Sequence, residues 1–319
     1  MIYGDWAYGL NLLSMTAMLV AVTLVIQAVA VRPFLDLCQR LAPVQQKWLI
    51  LSWAALPFAL MFMTFMQGLS SQPTHHDTLS GPLGLIHWHH ADLFMVGGWH
   101  SWLLLTISLW FALRLTVFAS RQWQRNQRIA SLDKQTDAAE RFSLLPTRDV
   151  IAMTVGYLTP RIYLSQGLLK QATKDQLDIV LAHENAHLKH RDNLSRWLLE
   201  LLTCVLPSTV CKPLLQRFIL VTEQIADKRA AAMSDARDVA DTLVAIARIQ
   251  LQTQRTMSAQ AHLISTDQLS DRVQELLVPS TPAYLRQWAL LSVLLTLAAG
   301  MLMAVDGLHH LFDIFLIHS

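Results

Sequence analysis

Every lysine and arginine in this 319-residue chain lies between Arg32 and Arg286, and none falls in residues 1–31, 69–100 or 287–319. Four long apolar segments alternate with the charged zones: roughly Tyr8 to Val31, Trp48 to Leu69, Met95 to Ala119 and Trp288 to Val305. Each is close to the ~20 residues that a helix needs to cross a bilayer core. With 53% hydrophobic and 15% charged residues, the chain is too apolar for an ordinary soluble domain, so the segments read as spans. Pro57 inside the second is tolerated in a membrane, and Arg114 near the end of the third can snorkel to the interface. The first segment lacks a basic n-region and a small-residue cleavage site, so it reads as a permanent helix rather than a cleaved signal.

Cationic loops stay on the cytoplasmic side, which sets the expected topology. Residues 1–119 form three spans, with the N-terminus outside, the Arg32 to Lys47 loop inside and an outer loop at about 70–94. Residues 120–287 form an inner domain, 288–305 the fourth span and 306–319 a short outer tail. Cys38, Cys204 and Cys211 all fall inside, where they are expected as reduced thiols. The formal net charge of +2 says little about partners, and no direct nucleic-acid binding is expected. The expected architecture is a mainly α membrane protein: four transmembrane helices with a cytoplasmic α+β domain inserted between the third and the fourth.

That domain holds His183-Glu184-Asn185-Ala186-His187. Two imidazoles four residues apart share one face of a helix and can point nitrogens at one metal ion, with Glu184 beside it. Neutral imidazole suits zinc, and a carboxylate next to it serves as the general base of a metallopeptidase. The helix is expected independently of the motif. Thr173 and Gln176 form a capping box, Leu177, Val180, Leu181 and Leu188 give an apolar stripe, and a new cap is expected at Arg191-Asp192-Asn193. Ahead of it, Asp149 to Val155 and Arg161 to Ser165 read as a hairpin or small sheet around the turn Gly156 to Pro160. A strand beside a metal helix can take up an extended peptide as a further strand. Leu194 to Leu206 reads as apolar on nearly all sides, ended by Pro207, and suggests contact with the bilayer. Further helices are expected over Cys211 to Ala232, Arg237 to about Thr253 and Leu269 to Val278.

Alone, Glu223 and Asp227 would be solvated helix charges. Thirty-six residues after His187 and on a second helix, Glu223 can complete a His-His-Glu zinc set with a fourth position left open. Asp227, one turn further, is placed to hold a ligand imidazole through its other nitrogen.

These features resemble the membrane zinc peptidases of the BlaR/MecR sensor-transducer family. The likeness rests on four spans with an inner catalytic domain, on Gly156-Tyr157-Leu158-Thr159-Pro160-Arg161-Ile162, on the metal motif followed by Arg191-Asp192, and on Glu223 to Asp227. More distantly the chain resembles CAAX-processing and HtpX-type peptidases, including an Arg before the last helix that Arg272 matches; those often carry His-Pro where this chain has Asp267-Gln268. Asn185 departs from the aliphatic residue usual in the family, and no counterpart of the outer penicillin-binding domain is seen, so β-lactam sensing is not expected. The resemblance implies a gluzincin-like domain and one catalytic Zn2+ held by His183, His187 and Glu223. It also implies a bacterial cytoplasmic-membrane location and cleavage of a cytoplasmic protein such as a transcriptional repressor. Self-cleavage and a homodimer are compatible with it.

Glu184 is the expected proton carrier, and Tyr157, Tyr163, His190, His262 and Arg272 are candidates for oxyanion or substrate contacts. Outside, His75, His76, His87, His89, His90, His100, His309, His310 and His318 lie among Asp77, Asp92, Asp306 and Asp313. They form a candidate metal sensor or a proton switch near pH 6, against the plainer reading of interfacial side chains packed beside Trp88, Trp99 and Trp102. Two other functions compete with a signalling peptidase: an HtpX-like quality-control peptidase and a non-enzymatic metal-binding receptor.

Overall fold

The computed structural model describes residues 1–70, 79–80, 87–88, 93–133, 137–138, 142–253, 259–278, 292, 295–303 and 307. The chain opens with β1 (Ile2–Tyr3), α1 (Asp5–Cys38) and α2 (Pro43–Ser70), then β2 (Leu79–Ser80), β3 (His87–Trp88) and β4 (Leu93–Phe94), then α3 (Trp99–Asp133). Among the described residues, α1, α2 and α3 are long and apolar enough to cross a membrane. Of the expected fourth span, 292 and 295–303 are among the described residues and helical, and Met301 and Leu302 pack in one cluster with Leu12, Met15 and Leu19 of α1. β1 pairs with β4, joining the chain's start to the end of the loop expected outside.

At 1.5 Å per residue, the 35 residues of α3 reach about 52 Å, well past a ~30 Å hydrocarbon core. Its last turns, with Arg121, Arg125 and Arg128, therefore project as a post beside the domain. Arg114 has protein partners. Its guanidinium donates to the carbonyls of Cys204 (2.7 Å) and Leu206 (2.8 Å) and lies over the Trp110 ring. Carbonyls left without partners at a helix end attract such a donor. Pro57 likewise has a specific accommodation: it cannot donate to the Trp53 carbonyl one turn back, and Gln27 of α1 donates there instead.

The domain expected on the inner side continues with β5 (Asp137–Ala138), β6 (Ser143–Leu145), β7 (Ala152–Val155), β8 (Arg161–Ser165), α4 (Gln166–Gln171), α5 (Lys174–His190), α6 (Asp192–Thr203), α7 (Ser208–Ala231), α8 (Ala236–Thr253) and α9 (Ala259–Leu277). The expected hairpin is the β7–β8 pair, with Thr154 opposite Ile162, but it belongs to a four-stranded sheet of order β5-β6-β8-β7. β6 runs parallel to β8; its three residues are too short to show a period. Gly156, at φ +107°, makes the connecting turn, where a Cβ would come within 2.9 Å of the Thr159 carbonyl. α9 begins ten residues before the expected start at Leu269.

α6 is not apolar all round. Arg196 and Glu200, one turn apart, share a face that meets the α3 post: Glu200 pairs with Arg125 and Arg196 and accepts from Gln122. Elsewhere on the helix, Leu199 is buried against protein while Leu198 is 40% exposed. Leu199, Leu206, Val210, Leu214 and Phe218 share one buried cluster with Val31, Phe34, Cys38, Ile50 and Trp53 of α1 and α2. Domain and bundle therefore have a common core. A second cluster, Val150, Ile162, Leu164, Leu168 and Val180, fixes α5 on the sheet.

Candidate metal centre

Thr173 and Gln176 close the expected capping box at the start of α5. Seventeen residues then run to His190, and Arg191 ends the helix in the left-handed conformation (φ 49°, ψ 46°), alone among described non-glycine residues at positive φ. That costs roughly 1 kcal/mol in a residue with a Cβ. α6 starts at once, with no side-chain cap at Arg191. The expected cap at Asp192 and Asn193 is not made, because both side chains are drawn elsewhere: Asp192 to His187 and Lys47, and Asn193 to the carbonyls of Thr154 (2.7 Å) and Gly156 (3.3 Å).

The four-residue spacing sets His183 and His187 on one face, and Glu223 approaches from α7. His183 Nε2 lies 3.1 Å from His187 Nε2 and 3.4 Å from Glu223 Oε2, and His187 Nε2 lies 3.5 Å from Glu223 Oε1. Ligand atoms at the ~2.0–2.1 Å typical of zinc stand about 3.3–3.4 Å apart at the corners of a tetrahedron. The separations are close to that edge, with the two imidazoles facing different oxygens of Glu223. With two imidazoles and one carboxylate as donors, these residues fit zinc.

Each imidazole has a carboxylate behind it. His183 Nδ1 lies 2.9 Å from Asp227 Oδ1, a close charged contact rather than an aligned hydrogen bond. His187 Nδ1 lies 2.8 Å from Asp192 Oδ2. Asp227 is 1% exposed and receives two bonds of 2.7 Å from Arg272 of α9, whose third nitrogen is 3.0 Å from Glu223 Oε2. Asp192, 6% exposed, receives Lys47 Nζ of α2 at 2.5 Å. Burial pushes each carboxyl up, yet the opposed bonds win. Arg272 and His183 hold Asp227 below the usual range, His187 and Lys47 do so for Asp192, and His183 and Arg272 hold Glu223 well below it. Burial pushes His183 down, while Asp227 and Glu223 reverse this and raise it to about 10 in the metal-free protein. This is a cage built for positive charge.

Glu184 is 7% exposed, and its Oε2 accepts from Thr154 Oγ1 at 2.7 Å. The centre opens into a cavity of about 450 Å3 with an apolar wall from Ile179, Val180, Leu243 and Ile246. Of the five residues expected at the oxyanion or substrate, Arg272 lines this cavity. Tyr157 instead donates to Gln122 Oε1 of the α3 post (2.9 Å) and borders a neighbouring hollow, and Tyr163 is buried in the sheet. His190 sits at the far end of α5, lowered mainly by burial. The side chain of His262 lies outside the described residues, as do His75, His76, His89, His90, His309, His310 and His318 and the side chain of His87. The ring of His100 stacks on Trp99. Thr154, Lys47 and Asp192 went unassigned at the sequence level. Asp192 follows the motif closely enough to be noticed, but nothing local marks the other two.

A His-His-Glu centre with a buried glutamate beside the first histidine, carried under apolar helices, defines a membrane-type zinc metallopeptidase. Residues 120–278 match the model of Peptidase family M48, a family of zinc metallopeptidases. No curated protein and no solved structure matches the chain.

Proposed function

We propose that the protein is an integral-membrane zinc endopeptidase that cleaves a cytoplasmic protein, such as a repressor, as the output of a transmembrane signalling device of the BlaR/MecR kind. The observation that carries the peptidase reading is the convergence of His183, His187 and Glu223, with nitrogens and carboxylate oxygens 3.1–3.5 Å apart and Glu184 buried at its side. Bound zinc supplies Lewis acidity toward a water and the scissile carbonyl. Glu184, oriented by the Thr154 hydroxyl, takes the proton from the attacking water and delivers it to the leaving amine. Arg272 holds Asp227 and Glu223 in place, and Asp227 and Asp192 fix the two imidazoles. β7 is the sheet edge beside α5 and offers an extended peptide a strand to join. Asn193 already occupies the Thr154 carbonyl, so a peptide joining there must use the Ala152 end or displace the amide.

The full-length protein purified in detergent with one equivalent of zinc tests the chemistry. Glu184→Gln is expected to keep zinc and lose peptide hydrolysis by about 10²–10⁴-fold; undiminished cleavage sinks the mechanism. Proteomic comparison of cells carrying wild type or Glu184→Gln separates the signalling reading, which expects one or few fragments, from quality control, which expects many.

A further inference from the structure

The proposal above leaves unused the most deeply buried lysine among the described residues. Lys47 is 6% exposed and belongs to the first turns of α2, a candidate membrane span. Its ammonium is 2.5 Å from Asp192 Oδ1, and the other oxygen of that carboxylate is 2.8 Å from His187 Nδ1. The carboxylate is thus gripped from both sides. Neither partner of such a pair is indifferent to loss of the other, because an isolated buried charge is costly. The preceding residue makes a parallel tie: Gln46 Oε1 accepts from Arg217 Nε at 2.9 Å, on the same helix as Glu223. The carboxylate therefore takes its orientation from a helix of the bundle, 145 residues away in sequence.

We infer that Lys47 is a positioning residue for the metal ligand His187, acting through Asp192. This rests on the zinc-site reading. Without the ammonium, Asp192 is free to rotate away from the ring, and the imidazole loses both its fixed orientation and the negative charge that favours its donation to a metal. A plain anchor between α2 and α6 would affect folding and leave zinc affinity alone.

Zinc affinity, measured on the full-length protein in detergent by competition with a chromophoric chelator, distinguishes the two. Loss of binding in His183→Ala and Glu223→Ala establishes that the probe reads this centre; if wild type binds no zinc there, the zinc-site reading itself has failed. Given a working centre, Lys47→Met is expected to weaken zinc about tenfold and Asp192→Asn about 10–100-fold, the range of outer-shell changes. The double variant is expected to match Asp192→Asn, since Lys47 has nothing left to act through. Lys47→Gln, also uncharged, serves if Lys47→Met does not fold. A folded Lys47→Met or Lys47→Gln with zinc affinity within twofold of wild type overturns the inference, as does a double variant that adds the two losses in full.

Discussion

His183 and His187 sit one turn apart on one helix, yet the groups behind them come from different parts of the molecule. Behind His183 stand Asp227 and Arg272, both from helices of the inner domain. Behind His187 stand Asp192 and Lys47, and the lysine belongs to the bundle. The first arrangement is complete within the domain. The second changes if α2 shifts by even one residue's rise of ~1.5 Å, since a 2.5 Å contact does not stretch that far. One half of the centre is self-contained, and the other half depends on the membrane helices.

Four measurements break or sharpen this contrast. Glu223→Ala removes the ligand common to both halves and is expected to weaken zinc a thousandfold or more, about 4 kcal/mol, by chelator competition. Arg272→Met strikes the self-contained half, taking both guanidinium bonds from the buried Asp227 and the close contact from the partly exposed Glu223, with His183 left as their cationic partner; about 3 kcal/mol of stability should go, seen as a lower melting temperature with zinc absent. If the loss were as small as that of an exposed arginine, the closed half would not depend on this pair. Thr154→Val touches neither imidazole and is expected to lower kcat/KM about tenfold, the ~1.5 kcal/mol at the low end for a hydrogen bond to a charged group, at unchanged zinc affinity. The smallest effect is on pH. Asp192 has a depressed folded-state pKa, so its contribution is present above about pH 4 and is lost as pH falls below that value. The stability gap between metal-free wild type and Asp192→Asn should narrow as the pH falls below about 4.

Most of the self-contained half was legible before any coordinates. The capping box, the apolar stripe and the four-residue spacing of the histidines are local signals, and Glu223 and Asp227 repeat the one-turn spacing on a second helix. Arg272 was legible only as a resemblance, and its bond to Asp227 explains what it does there. The half that depends on the bundle was largely hidden. Lys47 counted as one more inner-side charge, because the positive-inside rule assigns a side and no partner. α6 was misread because a count of leucines overlooked that Arg196 and Glu200 fall on one face, and the partners of Arg114 were hidden because the carbonyls it caps lie ninety residues away. Of the membrane architecture, three helices long and apolar enough to span are seen where expected, the fourth is described at 292 and 295–303, and most of the histidines expected outside lie outside the described residues.

The left-handed Arg191 has a consequence for what any pattern search can detect. On an unbroken helix, a residue five positions on lies about 140° around the axis and ~7.5 Å along it, so Asp192 reaches the His187 ring only because the chain reverses its hand at the residue between α5 and α6. Insert or delete one residue there and the five-residue motif, the apolar spans and the charge asymmetry all survive, while the carboxylate turns away from the imidazole and from Lys47 together. Such a chain would scan as competent and is expected to hold its zinc poorly. The length of the interval up to Arg191 is as much a part of the signature as the histidines themselves.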